Sequence, residues 1–402
     1  MKPATTTNSG RPRRLLAAIR RKPWFAIKSG GTASWVIRLL VAAAVVYVVV
    51  WVPTRGSGSL IDTCTLALGL MAAAMSLNLL LGYTGQISLG HSAFFGIGVY
   101  TTGIFVTRWG WSPLQTMPVA FVVAFVVGAL VSLPALRIKG VYLALVTLAL
   151  GLVFPQMMKW KKLAWLTGGT NGLDQTGYKF DKDNRTYEIF GWNPWGNLRG
   201  ENSKPFYFWV GVGIVVVVYL ICRGIVKSRM GRALVAIRDN STAASVMGIN
   251  LALTKGVVFG LSAAMCALPG CLSTMASGTV TADTEMITVA ASITFLVIMV
   301  VGGAGSLWGP IIGAAVFKFV EEKTGGWTEA EKIPGVIRPL LSWSDVAPGQ
   351  GIFAIALIGL MFLAPTGIVG LWKQTIARFV AVVPKPAGTG TLAAMDSVAT
   401  DS

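Results

Sequence analysis

MITVAASITFLVIMVVGGAGSLWGPIIGAAVF, residues 286–317, is a run of 32 residues without one charged side chain. As a single helix rising about 1.5 Å per residue it would be about 48 Å long, well beyond the roughly 30 Å hydrocarbon core of a bilayer. One membrane span cannot use all of it, so the run must break. Gly302-Gly303-Ala304-Gly305 is where it can, because glycine gives the backbone freedom that a reversal needs. The piece after the break is short: it either crosses the membrane as a second span or re-enters as a half-helix.

Outward from this run the same signal repeats. Apolar stretches of span length lie near Trp35–Val52, Leu60–Leu81, Ser88–Thr107, Thr116–Leu136, Gly140–Met158, Phe206–Cys222, Gly256–Ala276 and Gln350–Trp372. With the broken run they make about ten segments. The composition agrees: 54% of residues are hydrophobic, only 12% are charged, and the mean hydropathy is +0.66. Soluble domains carry about twice that charge. The fold class expected is an all-α polytopic membrane protein.

A net charge of +18 would suggest a nucleic-acid partner in a soluble chain, but here its distribution is what matters. With the N-terminus placed in the cytoplasm, the cytoplasmic segments hold about 20 of the 34 Lys and Arg and about three of the 16 acids. That asymmetry is the positive-inside bias, so both termini are expected in the cytoplasm and no nucleic acid is implied. The expected organisation is a basic cytoplasmic tail (1–34), a transmembrane domain (35–372) and a C-terminal cytoplasmic tail (373–402), both tails being disordered. The transmembrane domain carries an extracytoplasmic loop (158–205) and an amphipathic cytoplasmic loop (223–255).

Several chemistries lack their parts. His91 is the only histidine, so no Ser-His-Asp triad or His-rich metal site can be assembled, and Cys64, Cys222, Cys266 and Cys271 have no metal or redox spacing. No catalytic residue, metal or cofactor is expected. There is no Gly-x-x-x-x-Gly-Lys-Ser/Thr loop for ATP, so energy must come from elsewhere. Asp62, Asp283 and Glu285 fall near expected outer ends of spans, and none lies mid-membrane, where ion-coupled carriers place such groups. A stand-alone carrier or channel is thereby weakened, and a membrane-embedded enzyme more so.

Three segments could carry function. In the cytoplasmic loop, Asp239 or Asn240 can cap a short helix through Ser241–Met247 that Gly248 stops, flanked by Arg232, Arg238 and Lys255. About two turns are marginal alone, so the helix must dock, on a soluble partner or on the lipid surface. In Asn78–His91, Asn78, Gln86 and Ser88 sit with glycines at membrane depth. They either line a translocation path together with Thr147 or bond across packed helices. Outside, Leu166–Leu173 is a Gly- and Asn-rich turn around Asn171, either an anion cradle of backbone N–H groups or a tight loop.

The run Ser228–Asn240, continuing through Ala243-Ala244, Gly248-Ile249-Asn250 and Lys255, resembles the coupling loop of branched-chain amino acid ABC importer permeases of the M type. Ser76–Gly98, Arg137–Leu148, Thr167–Leu173 and Gly302–Pro310 resemble further blocks of that family in the expected order, so the resemblance covers about residues 60–372. It implies ABC importer permease architecture, with a coupling helix seated in a cleft of the ATPase. Arg232, Arg238, Ala243, Ala244 and Gly248 would then serve ATPase coupling. Thr242 stands where the related motif has Glu, which removes any salt bridge assigned to that position. The implied partners are two ATP-binding subunits, a second homologous permease subunit and an extracytoplasmic solute-binding protein. The cargo implied is a branched-chain amino acid, with urea or short-chain amides as the alternative within the same pattern.

Overall fold

The computed structural model describes residues 25–28, 47, 49–137, 141–174, 185–186, 197–198, 204–325, 358–359 and 367–383. The expected spans 35–52 and 350–372 therefore fall largely outside the described residues. Two units are distinguished, residues 50–370 and the two ends of the chain together. In the second of these, Phe25–Lys28 pairs in parallel with Val380–Val383.

In the larger unit a helical stretch through residue 55 precedes α1 (Gly58–Thr84), which Ser57 caps by accepting the Leu60 N–H. The unit continues through α2 (His91–Trp109), α3 (Pro113–Arg137) and α4 (Val141–Met158). After the outer loop come α5 (Lys204–Lys227), α6 (Arg229–Asp239), α7 (Ser241–Val246) and α8 (Leu251–Ser277). Next are α9 (Val289–Gly302) and α10 (Gly309–Gly325). The final helix is α11 (Gly367–Phe379).

Four of these, α1, α3, α5 and α8, are long and apolar enough to cross a membrane. They play two roles. The apolar stretches of α1 and α8 are 67% and 56% buried, against 28% for α3 and α5, so the first pair forms the centre and the second faces outward. Val122, Val126, Leu130 and Leu133 make the exposed apolar stripe of α3 at helical spacing, the surface a bilayer would cover. α8 packs against α1, α2, α3 and α5.

Small residues set that packing. A Cβ on Gly98 of α2 would fall 1.9 Å from the Ala267 carbonyl oxygen of α8, and one on Gly270 of α8 would fall 2.1 Å from the Phe95 oxygen of α2. The two backbones touch, which is how helices gain contact where no hydrophobic effect drives them together.

The 32-residue run breaks where its glycines allow. Gly303 closes α9 at φ 117°, donating its N–H to the Met299 oxygen at 3.0 Å, and Gly305 adopts φ 77°. At 14 residues α9 is about 21 Å long, short of a full crossing, and α10 has 17 residues.

Candidate functional site

The loop expected in the cytoplasm is two helices set at a corner. α5 ends at Lys227, and Ser228 caps α6 by accepting the Met230 N–H at 3.1 Å. A Cβ on Gly231 would meet the Val226 oxygen at 2.2 Å, so the corner is sharp enough to need glycine. α6 buries Gly231, Leu234 and Ile237, one face at helical spacing, and leaves Arg232 and Arg238 on the exposed side. Asn240 then serves both helices. Its N–H closes α6 on the Ala236 oxygen, and its Oδ1 accepts the N–H groups of Thr242 and Ala243, each at 3.0 Å, to open α7. Gly248, at φ 82°, turns the chain away. Asn250 caps α8 through the Leu253 N–H.

This geometry makes α7 a knob. Ala244 is buried, Ala243 and Gly248 are exposed, and the apolar side chains of Val246 and Met247 are each 82% exposed. A helix of six residues does not persist in water on its own account, so its caps at both ends hold it.

Arg238, although exposed, reaches back to the membrane domain with its guanidinium. Its Nη1–H donates to the Gly82 carbonyl in the last turn of α1. That oxygen is among the carbonyls a helix end leaves unpaired, and a cation there gains about 0.3–1 kcal/mol from the helix dipole. Its Cγ lies 3.4 Å from where a Gly85 Cβ would sit, and its Nη1 3.5 Å from the Gly305 Cβ position. Arg238 thus bonds to the α1 end of the first break and lies beside the α9–α10 turn.

Asn78 joins the same two turns from inside. Its Nδ2–H donates to the Ser306 oxygen and its Oδ1 accepts the Gly305 N–H, both at 2.9 Å. Both ends of the amide are used across helices, and the side chain is 1% exposed.

Ser88 and Thr147 each make a hydrogen bond at the α2 end of the break. Thr147 accepts the Leu89 N–H at 3.0 Å, and a Cβ on Gly90 would lie 2.2 Å from the Thr147 oxygen. Ser262 donates to the Ser76 carbonyl at 2.5 Å, so it must accept the Nε2–H of His91 at 3.0 Å. In the neutral ring Nδ1 is then the acceptor, and Ser88 donates to it at 3.0 Å. Ser292 of α9 accepts the Ser92 N–H at 2.8 Å. These polar groups supply partners for the buried N-terminus of α2, whose own cap position, Gly90, offers no side chain. Ser88 and Thr147 are fully buried in this conformation, and Gln86 is half-buried. Sequence reading did not find Ser262 or Ser292, which lie 171 and 200 residues from their partners.

Asn171 lies apart from all of these, exposed in the single turn Gly169–Asn171 on the far side of α4. Two N–H groups of that turn are already taken, Gly168 by the Ala164 oxygen and Gly169 by the Thr167 hydroxyl. The turn leads into β1 (Leu173–Asp174), which pairs antiparallel with β2 (Thr279–Val280). Nearby, Lys159 and Asp283 form an ion pair at 2.5 Å. Among the described residues no three His, Cys, Asp or Glu side chains converge as metal ligands would.

Buried apolar helices, broken by glycine turns whose polar groups are paired internally, define a multi-pass membrane protein of the permease class. The chain belongs to the family described as "Branched-chain amino acid transport system / permease component", which it matches over residues 59–365. It is 30% identical over 288 residues to the high-affinity branched-chain amino acid transport system permease protein LivM of Escherichia coli (strain K12), covering 69% of this chain and 66% of that protein. It is 29% identical over 290 residues to the protein of the same name in Salmonella typhimurium (strain LT2), again covering 69% and 66%. The chain thus spans 66% of the length of the curated relatives it matches. No solved structure matches it.

Proposed function

We propose that this chain is a transmembrane permease subunit of an ATP-driven ABC importer that carries branched-chain amino acids inward, with both termini in the cytoplasm. Its partners are a second homologous permease subunit, two ATP-binding subunits and an extracytoplasmic solute-binding protein. The cargo rests on the family and on the names of the two relatives. The importer mechanism rests on one observation: α7 presents Val246 and Met247 outward while Arg238, on the helix next to it, bonds to the Gly82 carbonyl at the end of α1.

In this reading an ATPase cleft takes the α7 knob, with Ala243, Ala244 and Gly248 allowing close approach and Arg232 at its rim. Asn240 caps both helices, so α6 and α7 move together. A displacement of α6 reaches Gly82 through Arg238, and through Asn78 it reaches Gly305 and Ser306. The ATPase can shift the permease between two states only by binding them with different affinity, and this linkage gives α7 a different position in each. Asn78, Gln86, Ser88, Thr147 and Asn171 are our candidates for the substrate path.

The partner set is tested by capture of the full chain from its native membrane in mild detergent and identification of what accompanies it. Recovery of two ATP-binding subunits and a second permease is expected. Recovery of the chain alone, with a control complex intact in the same detergent, would replace this reading with a stand-alone carrier.

A further inference from the structure

Tyr100 lies near the middle of α2 and is 3% exposed, and among the described residues its hydroxyl has no hydrogen-bond partner. Its polar neighbours on the helix fare differently. Thr102 pairs with Thr116 at 2.9 Å, and the Val99 carbonyl accepts from Thr274 at 3.2 Å. A phenylalanine would fill the same volume without an orphaned donor, and an unpaired buried hydroxyl is costly. The phenol is therefore out of place for packing alone.

Its surroundings suggest a use. The Phe154 ring of α4 meets Tyr100 edge-on, with centroids 6.1 Å apart. On the same face of α2, Gly96 and Gly103 have no side chains. A Cβ on Gly96 would lie 2.4 Å from the Phe154 ring and 3.0 Å from Ile287, and one on Gly103 would lie 2.8 Å from Val280 and 3.3 Å from Leu173. The wall over this face is therefore Phe154 together with the β1–β2 pair and the single turn Glu285–Ile287. The pair is two residues deep and the turn is one 3-10 turn. Elements held by so few hydrogen bonds open at lower free energy than the long helices around them.

Building on the function proposed above, we infer that Tyr100 is a substrate-contacting residue of the translocation path, its phenol O–H donating to the carboxylate of an apolar α-amino acid when the β1–β2 and 285–287 wall opens. The chemistry fits such a cargo. A hydroxyl donating to a carboxylate makes a charge-assisted bond, stronger than a neutral one, and it supplies the recognition without a buried cation. Phe154, Ile287, Val280 and Leu173 offer an aliphatic and aromatic lining for a branched side chain.

The test is Tyr100→Phe in the complete complex, reconstituted with saturating solute-binding protein and labelled leucine. The maximal uptake rate should fall at least about tenfold. Meanwhile the complex should retain its ATP-binding subunits and a melting temperature in detergent no lower than wild type, because the orphaned donor is gone. Leucine uptake by the wild-type complex that requires internal ATP tests the importer reading separately. With that in hand, a Tyr100→Phe complex that transports at the wild-type rate overturns the assignment. One whose uptake falls together with its melting temperature assigns Tyr100 to packing and overturns it as well.

Discussion

Gly248→Trp should abolish uptake while the chain still inserts and folds. Among the described residues Gly248 has nothing within 4 Å of its Cβ position, so the indole has room beside them. Its φ of 82° makes any side chain there strained, by about 1–2 kcal/mol, a modest local cost at an exposed turn. The indole would stand beside Val246 and Met247, on the surface that an ATPase cleft must cover. Met247→Asp asks the same question without touching the backbone. A carboxylate at a site 82% exposed costs folding almost nothing, but burying it unpaired in an interface costs about 3–5 kcal/mol, more than 10²-fold in affinity. Both variants should lose the ATP-binding subunits on purification. Arg238→Ala should instead keep those subunits and lose transport, because its bond faces Gly82 and not the knob. Normal uptake by Gly248→Trp or Met247→Asp would remove α7 from the coupling route.

The largest expected effect on folding is at Gly98. A valine there places its Cβ 1.9 Å from the Ala267 oxygen, 2.7 Å from that carbonyl carbon and 2.9 Å from its Cα. Every one of those atoms is backbone, so no rotamer change relieves the overlap, and α2 must move away from α8. Overpacking that side chains can absorb costs about 1–3 kcal/mol. Here the cost should exceed that range, although valine is the better helix former. Gly98→Val should therefore give little monodisperse protein in detergent. Gly213→Val on α5, with nothing within 4 Å, should behave as wild type. Equal yields and equal melting temperatures for the two would show that the α2–α8 contact is not as close as described.

Much of this architecture was readable from local pattern. The uncharged run could not remain one helix, and its break falls at Gly303. The short helix after Asn240 was legible because caps are local chemistry: an Asn side chain reaches N–H groups two and three residues on, and Gly248 takes a backbone angle that other residues resist. α6 was less visible. Residues 223–255 read as a single amphipathic loop, although Ser228 ahead of Leu234 and Ile237 carries a cap and a periodic face.

What the sequence could not supply was long-range pairing. Asn78 is matched to residues 227 and 228 positions away, and His91 to one 171 positions away. A polar residue in an apolar span looks the same whether it lines a path or bonds across helices. For Asn78 both hydrogen-bonding ends are used across helices in this conformation. Nor could the β1–β2 pair be read, since two residues at each end of long loops carry no periodicity. That pair packs over Gly103, one turn of α2 from Tyr100.

The most direct measurement is uptake of labelled leucine into proteoliposomes holding this chain with its co-purified partners, with the solute-binding protein outside and ATP either trapped inside or omitted. Expected is accumulation that requires internal ATP and vanishes with Gly248→Trp. Accumulation that proceeds equally without ATP or without the ATP-binding subunits would contradict the importer reading and leave α6 and α7 without the role assigned to them.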